Sequence, residues 1–236
     1  MSKTLEARMQ RYEDKDEIQK VMSKHAYYFS AGMHKEEIEE LWAQKTPGVT
    51  FAQNECEWEG LELVKECYVN VFERQRKRNL EMLCKIYPDI ENVEENLGVG
   101  TLTMHTLTTP VIEVAGDGKT AKGVWMSPGQ MTELVKGKPM AMWMWEKYGV
   151  DFVKEDGMWK IWHFHVYTDF MTPYEMSWVE NSMNSLGNKL FLDSPPDVPQ
   201  PTRQVDFYKE YSLRSVPQLV PKPPVPYENF DETFRY

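Results

Sequence analysis

Residues 159–169 read WKIWHFHVYTD. Strand side chains alternate between the two faces of a sheet, and this run alternates along its whole length. Trp159, Ile161, His163, His165, Tyr167 and Asp169 then share one face, with Lys160, Trp162, Phe164, Val166, Thr168 and Phe170 on the other. Neither face reads as water-facing, because the first begins with Trp and Ile and the second is apolar after Lys160. A face that starts apolar and turns polar describes the wall of a pocket, and His163 and His165 sit in it. The alternative is a pair of hydrogen-bonded sheet histidines without chemistry.

Three more extended segments precede this one: TLTMHTLTTPVIEVA at 101–115, KTAKGVWMSPGQMTEL at 119–134 and PMAMWMWEKYGVDFVKE at 139–155. Their Thr, Val, Ile and aromatic content favours strands. GDGK (116–119), KGKP (136–139) and EDGM (155–158) separate them, and the Asp-Gly pairs in the first and last suit tight hairpins. The spacing predicts an antiparallel meander of four long strands. In the third segment Met140, Met142 and Met144 oppose Ala141, Trp143 and Trp145, so the strand is apolar on both faces. One face lines a cavity, and the other, continued by Trp162, Phe164 and Val166, needs a cover that a homo-oligomer supplies.

Upstream the period changes to that of helices. Ile18, Val21, Met22, His25, Tyr28 and Phe29 recur at three- and four-residue spacing up to Gly32, which places His25 on an apolar helix face. KEEIEELWAQK (35–45) fits a second helix and VTFAQ (49–53) a short strand, and the segment from Trp58 to Tyr87 reads as a third, long helix. Helices first and a sheet afterwards make an α+β chain. Residues 1–175 form that domain. Residues 176–236 read as an extended arm, because 195–226 holds nine of the fifteen prolines, and Phe207, Tyr208, Tyr211, Tyr227, Phe230, Phe234 and Tyr236 give it surface anchors.

Composition narrows the function classes. Hydrophobic residues at 41% and charged residues at 27% mark a soluble globular chain. No apolar run reaches membrane-span length and no signal-peptide core opens the chain, so a cytoplasmic location without membrane contact is expected. A net charge of -10 has the wrong sign for general nucleic-acid binding, and the basic cluster ERQRKRN (73–79) falls in a helix as a solvated face. Cys56, Cys67 and Cys84 show no CxxC spacing and are expected as reduced thiols. Only the His163–His165 pair has a ligand-like spacing, without a third ligand, so neither a metal nor a cofactor is expected.

The element order, together with YYFSAGMHKEEIEELWA (27–43), VTFAQNECEWEG (49–60), MHTLTTPVIEVAGDGKTAKGVW (104–125) and DGMWKIWHFHV (156–166), resembles the SnoaL-like branch of the nuclear-transport-factor-two-like superfamily over about residues 14 to 172. That resemblance implies a cone-shaped curved antiparallel sheet closed by three N-terminal helices around a cavity. In dehydratases of the family a His on the first long meander strand pairs with an Asp ending the first helix. His105 matches the His, whereas Ser30 stands near the Asp position, Gln53 where a Tyr is expected and Trp125 where a second His is expected.

Proton transfer next to a carbonyl needs a base and a group that polarises or protonates an oxygen, and a near-neutral His serves either role. His105, His163, His165, Tyr28 and His25 are the candidate catalytic residues, and Trp125, Trp143, Tyr148 and Gln53 the candidate ligand-binding ones. The function expected is a cofactor-independent lyase or isomerase acting on a hydrophobic ring compound. A catalytically silent binding or assembly protein that uses the same cavity is the alternative.

Overall fold

The computed structural model describes residues 4–135, 138–180, 197–205 and 210–236. Helix α1 (Leu5–Ala31) begins where Thr4 Oγ1 accepts the Ala7 N–H at 3.2 Å, and ends at Gly32, whose φ of 70° turns the chain in the left-handed region. Asp14, Ile18, Met22 and His25 form its buried stripe. The helix starts thirteen residues before Ile18, where the apolar period becomes visible, because its first turns are solvated. Helix α2 (His34–Leu41) buries His34, Glu37, Ile38 and Leu41.

Strands β1 (Thr50–Gln53) and β2 (Cys56–Glu59) form a hairpin around Asn54, at φ 50°. Sequence reading gave only one strand here and assigned Trp58 to the following helix; Trp58 instead pairs with Phe51 across the hairpin. The third helical region is continuous but not uniform: α3 (Leu61–Lys65) passes through a π-helical turn, Glu66–Asn70, into α4 (Val71–Ile86). That turn buries the consecutive residues Cys67 and Tyr68.

The first expected long strand is broken into β3 (Thr103–His105) and β4 (Thr108–Val114), with Thr109 at φ 50° before Pro110, which has no N–H to pair. Strands β5 (Thr120–Val135), β6 (Lys138–Glu155) and β7 (Met158–Pro173) complete the meander, and β8 (Arg203–Gln204) adds a short edge. The sheet order is β3-β5-β6-β7-β1-β2-β8, with β4 also beside β5. All pairings are antiparallel except β1 with β7. Asp156 (φ 50°) and Gly157 (φ 82°) make the two-residue β6–β7 turn that the Asp-Gly signal predicts.

Two bulges reset which side chains face inward. Asp151 pairs with His163 and Phe152 with Ile161, so Trp162 is an extra residue in β7. Trp159 and Ile161 therefore join Phe164 and Val166 in the core, while His163 and His165 turn to the opposite face. The strict alternation expected over 159–169 is corrected by this one residue. A second bulge between the Trp145–Phe170 and Glu146–Thr168 pairs returns Met171 to the inner side beside Met144.

The C-terminal residues are built onto this same sheet. Phe230 packs on the Trp162 and His163 rings at 4.7 and 5.7 Å, and the Tyr236 N–H donates to Asp151 Oδ2 at 3.0 Å. Arg235 Nη2 reaches Glu57 Oε1 at 2.8 Å, and Lys122 Nζ lies over the rings of Phe230 and Tyr236. Part of the outer sheet face is thus covered by the chain itself. Phe207 and Tyr208 lie outside the described residues.

Candidate active site

A cavity of about 490 Å³ lies between the inner face of the sheet and the helices, within the range of small-molecule sites. β6 supplies Met140, Met142, Met144, Glu146 and Tyr148, which all point inward because they alternate along one strand. His105 ends β3, beside Gly129 of β5, and a side chain added at Gly129 would meet the imidazole at 2.8 Å. From the helices come His25, Phe29, His34, Tyr68 and Phe72.

Two buried imidazole–carboxylate pairs meet here. His25 Nδ1 lies 2.8 Å from Glu37 Oε1, with the Tyr68 hydroxyl donating to Glu37 Oε2 at 3.4 Å and the Trp42 indole N–H to Oε1 at 3.4 Å. His25 Nε2 is buried and has no partner among the described residues. In the second pair His105 Nδ1 lies 3.3 Å from Glu146 Oε2. Thr168 Oγ1 donates to Glu146 Oε1 at 3.0 Å and the Tyr148 hydroxyl to Oε2 at 3.4 Å. The rings of Phe29 and Tyr148 contact both imidazoles, with centroids 5.3 to 6.4 Å apart, so the two pairs share one chamber.

Burial sets their protonation. It pushes the Glu146 carboxyl up to about 7, against the pull of its hydrogen bonds from Thr168 and Tyr148. Burial lowers His105 to about 4, helped by the nearby His25, and burial also lowers His34 to about 4. At neutral pH the cavity thus holds an uncharged imidazole next to a carboxyl that is partly protonated.

A family profile described as a SnoaL-like domain matches residues 10–165. The chain belongs to the SnoaL-like family. No curated protein matches it. Among solved structures it is similar to a putative scytalone dehydratase from Novosphingobium aromaticivorans, 13% identical over 77% of this chain and 96% of that one, with a TM-score of 0.50. It is also similar to LinA, 14% identical over 72% and 96% of the two chains, TM-score 0.50. Likeness at that identity shows the fold, a mostly antiparallel curved sheet with three helical regions.

The SnoaL-like cavity takes in His105, His25, Tyr148 and Gln53 as lining residues. It does not take in the others. His163 bonds Asp151 Oδ2 through Nδ1 at 2.9 Å and stacks on Trp162, and His165 Nε2–H donates to the Asn54 carbonyl at 2.7 Å; both lie on the outer face because of the Trp162 bulge. Tyr28 turns to α2, where its hydroxyl bonds Glu40. Trp143 packs on Phe170 and Trp178 outside, because its position on β6 alternates with the inward methionines. Trp125 is core, its indole N–H donating to Gln19 Oε1 at 3.0 Å. Ser30 lines the cavity, and the carboxylates beside the two imidazoles come instead from α2 and β6.

Glu37, Tyr68 and Glu146 went unread in the sequence, although two of them left a trace. Glu37 stands one helical turn before Leu41 on the buried side of α2, and Glu146 is the one acid at the inward parity of MAMWMWEKY. Tyr68 reads only as core, in helical register with Leu61, Val64, Cys67, Val71 and Phe72, and the π turn that carries it follows no sequence period. Among the described residues no three His, Cys, Asp or Glu side chains converge as a metal site.

Proposed function

We propose that this cavity performs cofactor-independent proton transfer, of the lyase or isomerase kind, on a hydrophobic ring-containing small molecule. One observation carries the reading: two buried imidazole–carboxylate pairs face one apolar chamber. Environments that push titratable groups apart are what acid–base catalysis requires. Glu37 takes the His25 Nδ1–H, which leaves a lone pair on Nε2, the unpartnered atom, to accept a proton from carbon. Glu146 supplies a proton to the developing oxyanion or leaving group, and the cycle closes when the His25 imidazolium returns its proton to carbon or to water and the Glu146 carboxylate is reprotonated, with His105 held neutral beside it. The Tyr148 hydroxyl next to Glu146 adds a second donor. Nothing in these steps needs a bound cofactor.

The test works with the natural substrate unidentified. A panel of ring ketones incubated with the protein in D2O, followed by mass spectrometry, reads abstraction of a C–H proton directly. We expect exchange with the wild-type chain, a loss of about 100-fold or more in His25→Gln, and no loss in His165→Gln. Ketones that bind by calorimetry yet never exchange would overturn catalysis and leave a silent binding protein.

A further inference from the structure

We infer that the ligand of this cavity carries a basic nitrogen, held as an ammonium by Glu133 at the end remote from the two imidazoles. The inference rests on the cavity being a small-molecule site, as proposed above. Glu133 of β5 pairs in register with Met140 of β6, and both line the cavity. Met140 lies six positions before Glu146 on the same strand, so roughly 20 Å of backbone separates the two carboxyl rows at about 3.3 Å per residue. Met131, Met142, Met144 and Met171 form the wall between them. Thioethers adapt to ring faces and edges, and that wall suits an apolar ring body running from one carboxyl towards the other.

Glu133 differs from every other acid at the site. Glu37 and Glu146 have hydrogen-bonded partners, whereas Glu133 has no hydrogen bond or ion pair among the described residues. Burial alone pushes its carboxyl up to about 7. A half-buried carboxyl that lines a cavity without a cation beside it is relieved when a ligand brings one. The site's guanidinium does not serve that purpose: Arg76 Nη1 and Nη2 donate to the carbonyls of Gly32 and Leu97 at 3.0 and 2.9 Å. Those bonds also leave Arg76 poorly placed to receive an anion. The net charge of -10 steers cations toward the chain and anions away.

Three ligands of one ring size test this by calorimetry on the full chain: 1-naphthylmethylamine, the uncharged 1-ethylnaphthalene and the anionic 1-naphthylacetate. We expect the amine to bind at least about tenfold more tightly than the hydrocarbon, and the acetate more weakly than either. In Glu133→Gln the amine's advantage should disappear while 1-ethylnaphthalene binds as before, and in Glu146→Gln the advantage should persist. A matching melting curve for Glu133→Gln confirms that the variant folds. Equal affinities in the wild-type chain, an advantage that survives Glu133→Gln, or a preference for the acetate would each overturn the amine assignment while leaving the cavity intact. Failure of all three ligands to bind would remove the small-molecule reading itself, and this assignment with it.

Discussion

Glu146 is almost fully buried, and it touches His105, Tyr148 and Thr168 within 3.4 Å. Its native pKa of about 7 stands above the ordinary 4.5, so between those values the folded chain keeps a proton that the unfolded chain has lost. Stability from this group is therefore present at low pH and falls as pH rises through the window. Moving a carboxyl from 4.5 to about 7 amounts to about 3 kcal/mol. Glu146→Gln should gain about that much relative to wild type between pH 4.5 and 8, read from urea midpoints at both values. An unchanged difference would mean that Glu146 titrates as an exposed acid does. Glu37→Gln removes the negative charge of the acceptor that fixes His25, and we expect a 10- to 100-fold loss of the D2O exchange rate, as for other residues that orient an imidazole. At this scale the sequence was partly legible. His25 and His105 stand out as polar residues in apolar contexts, whereas the carboxylates that complete them come from α2 and β6, and only folding brings them near.

Among the elements, β7 shows where period reasoning succeeds and where it stops. Its existence and its burial on both faces follow from WKIWHFHVYTD, and its hairpin turn from the EDGM before it. The facing of its histidines does not, because one extra residue at Trp162 inverts the side chains up to the second bulge and leaves no mark on composition. The β1–β2 hairpin was half-legible for a related reason: Asn54 at φ 50° makes a turn without the Gly that would announce it. The turn that was announced can be tested. Gly157 has a φ of 82°, and Gly157→Ala should cost about 1–2 kcal/mol in chemical denaturation. A neutral result would imply that the β6–β7 turn relaxes without disturbing the strands.

For the whole molecule, the sheet face away from the cavity is covered in part by the chain's own last residues. A side chain at Gly149 would lie 2.7 Å from the Tyr236 ring. Gly149→Val should therefore release the C-terminal residues to trypsin while residues 10–165 stay resistant, as mass mapping of the fragments would show. Trp143, Trp145, Phe170 and Trp178 lie beyond that cover, and Trp145 and Trp178 are 36% and 37% exposed. The homo-oligomer expected from sequence is accordingly proposed for this aromatic patch, and light scattering on wild type and on Trp145→Glu checks it: a monomer in both discards the proposal. The parallel pairing of β1 with β7 has a consequence in time. β1 finds β2 at once, but Thr50 must wait for His163, 113 positions later, before the other edge of its strand is paired. At roughly 5–20 residues per second of synthesis that interval lasts roughly 6–23 s, during which the β1–β2 hairpin has no sheet to join. Nascent chains halted before β7 should thus be held by chaperones, and those halted well after it released.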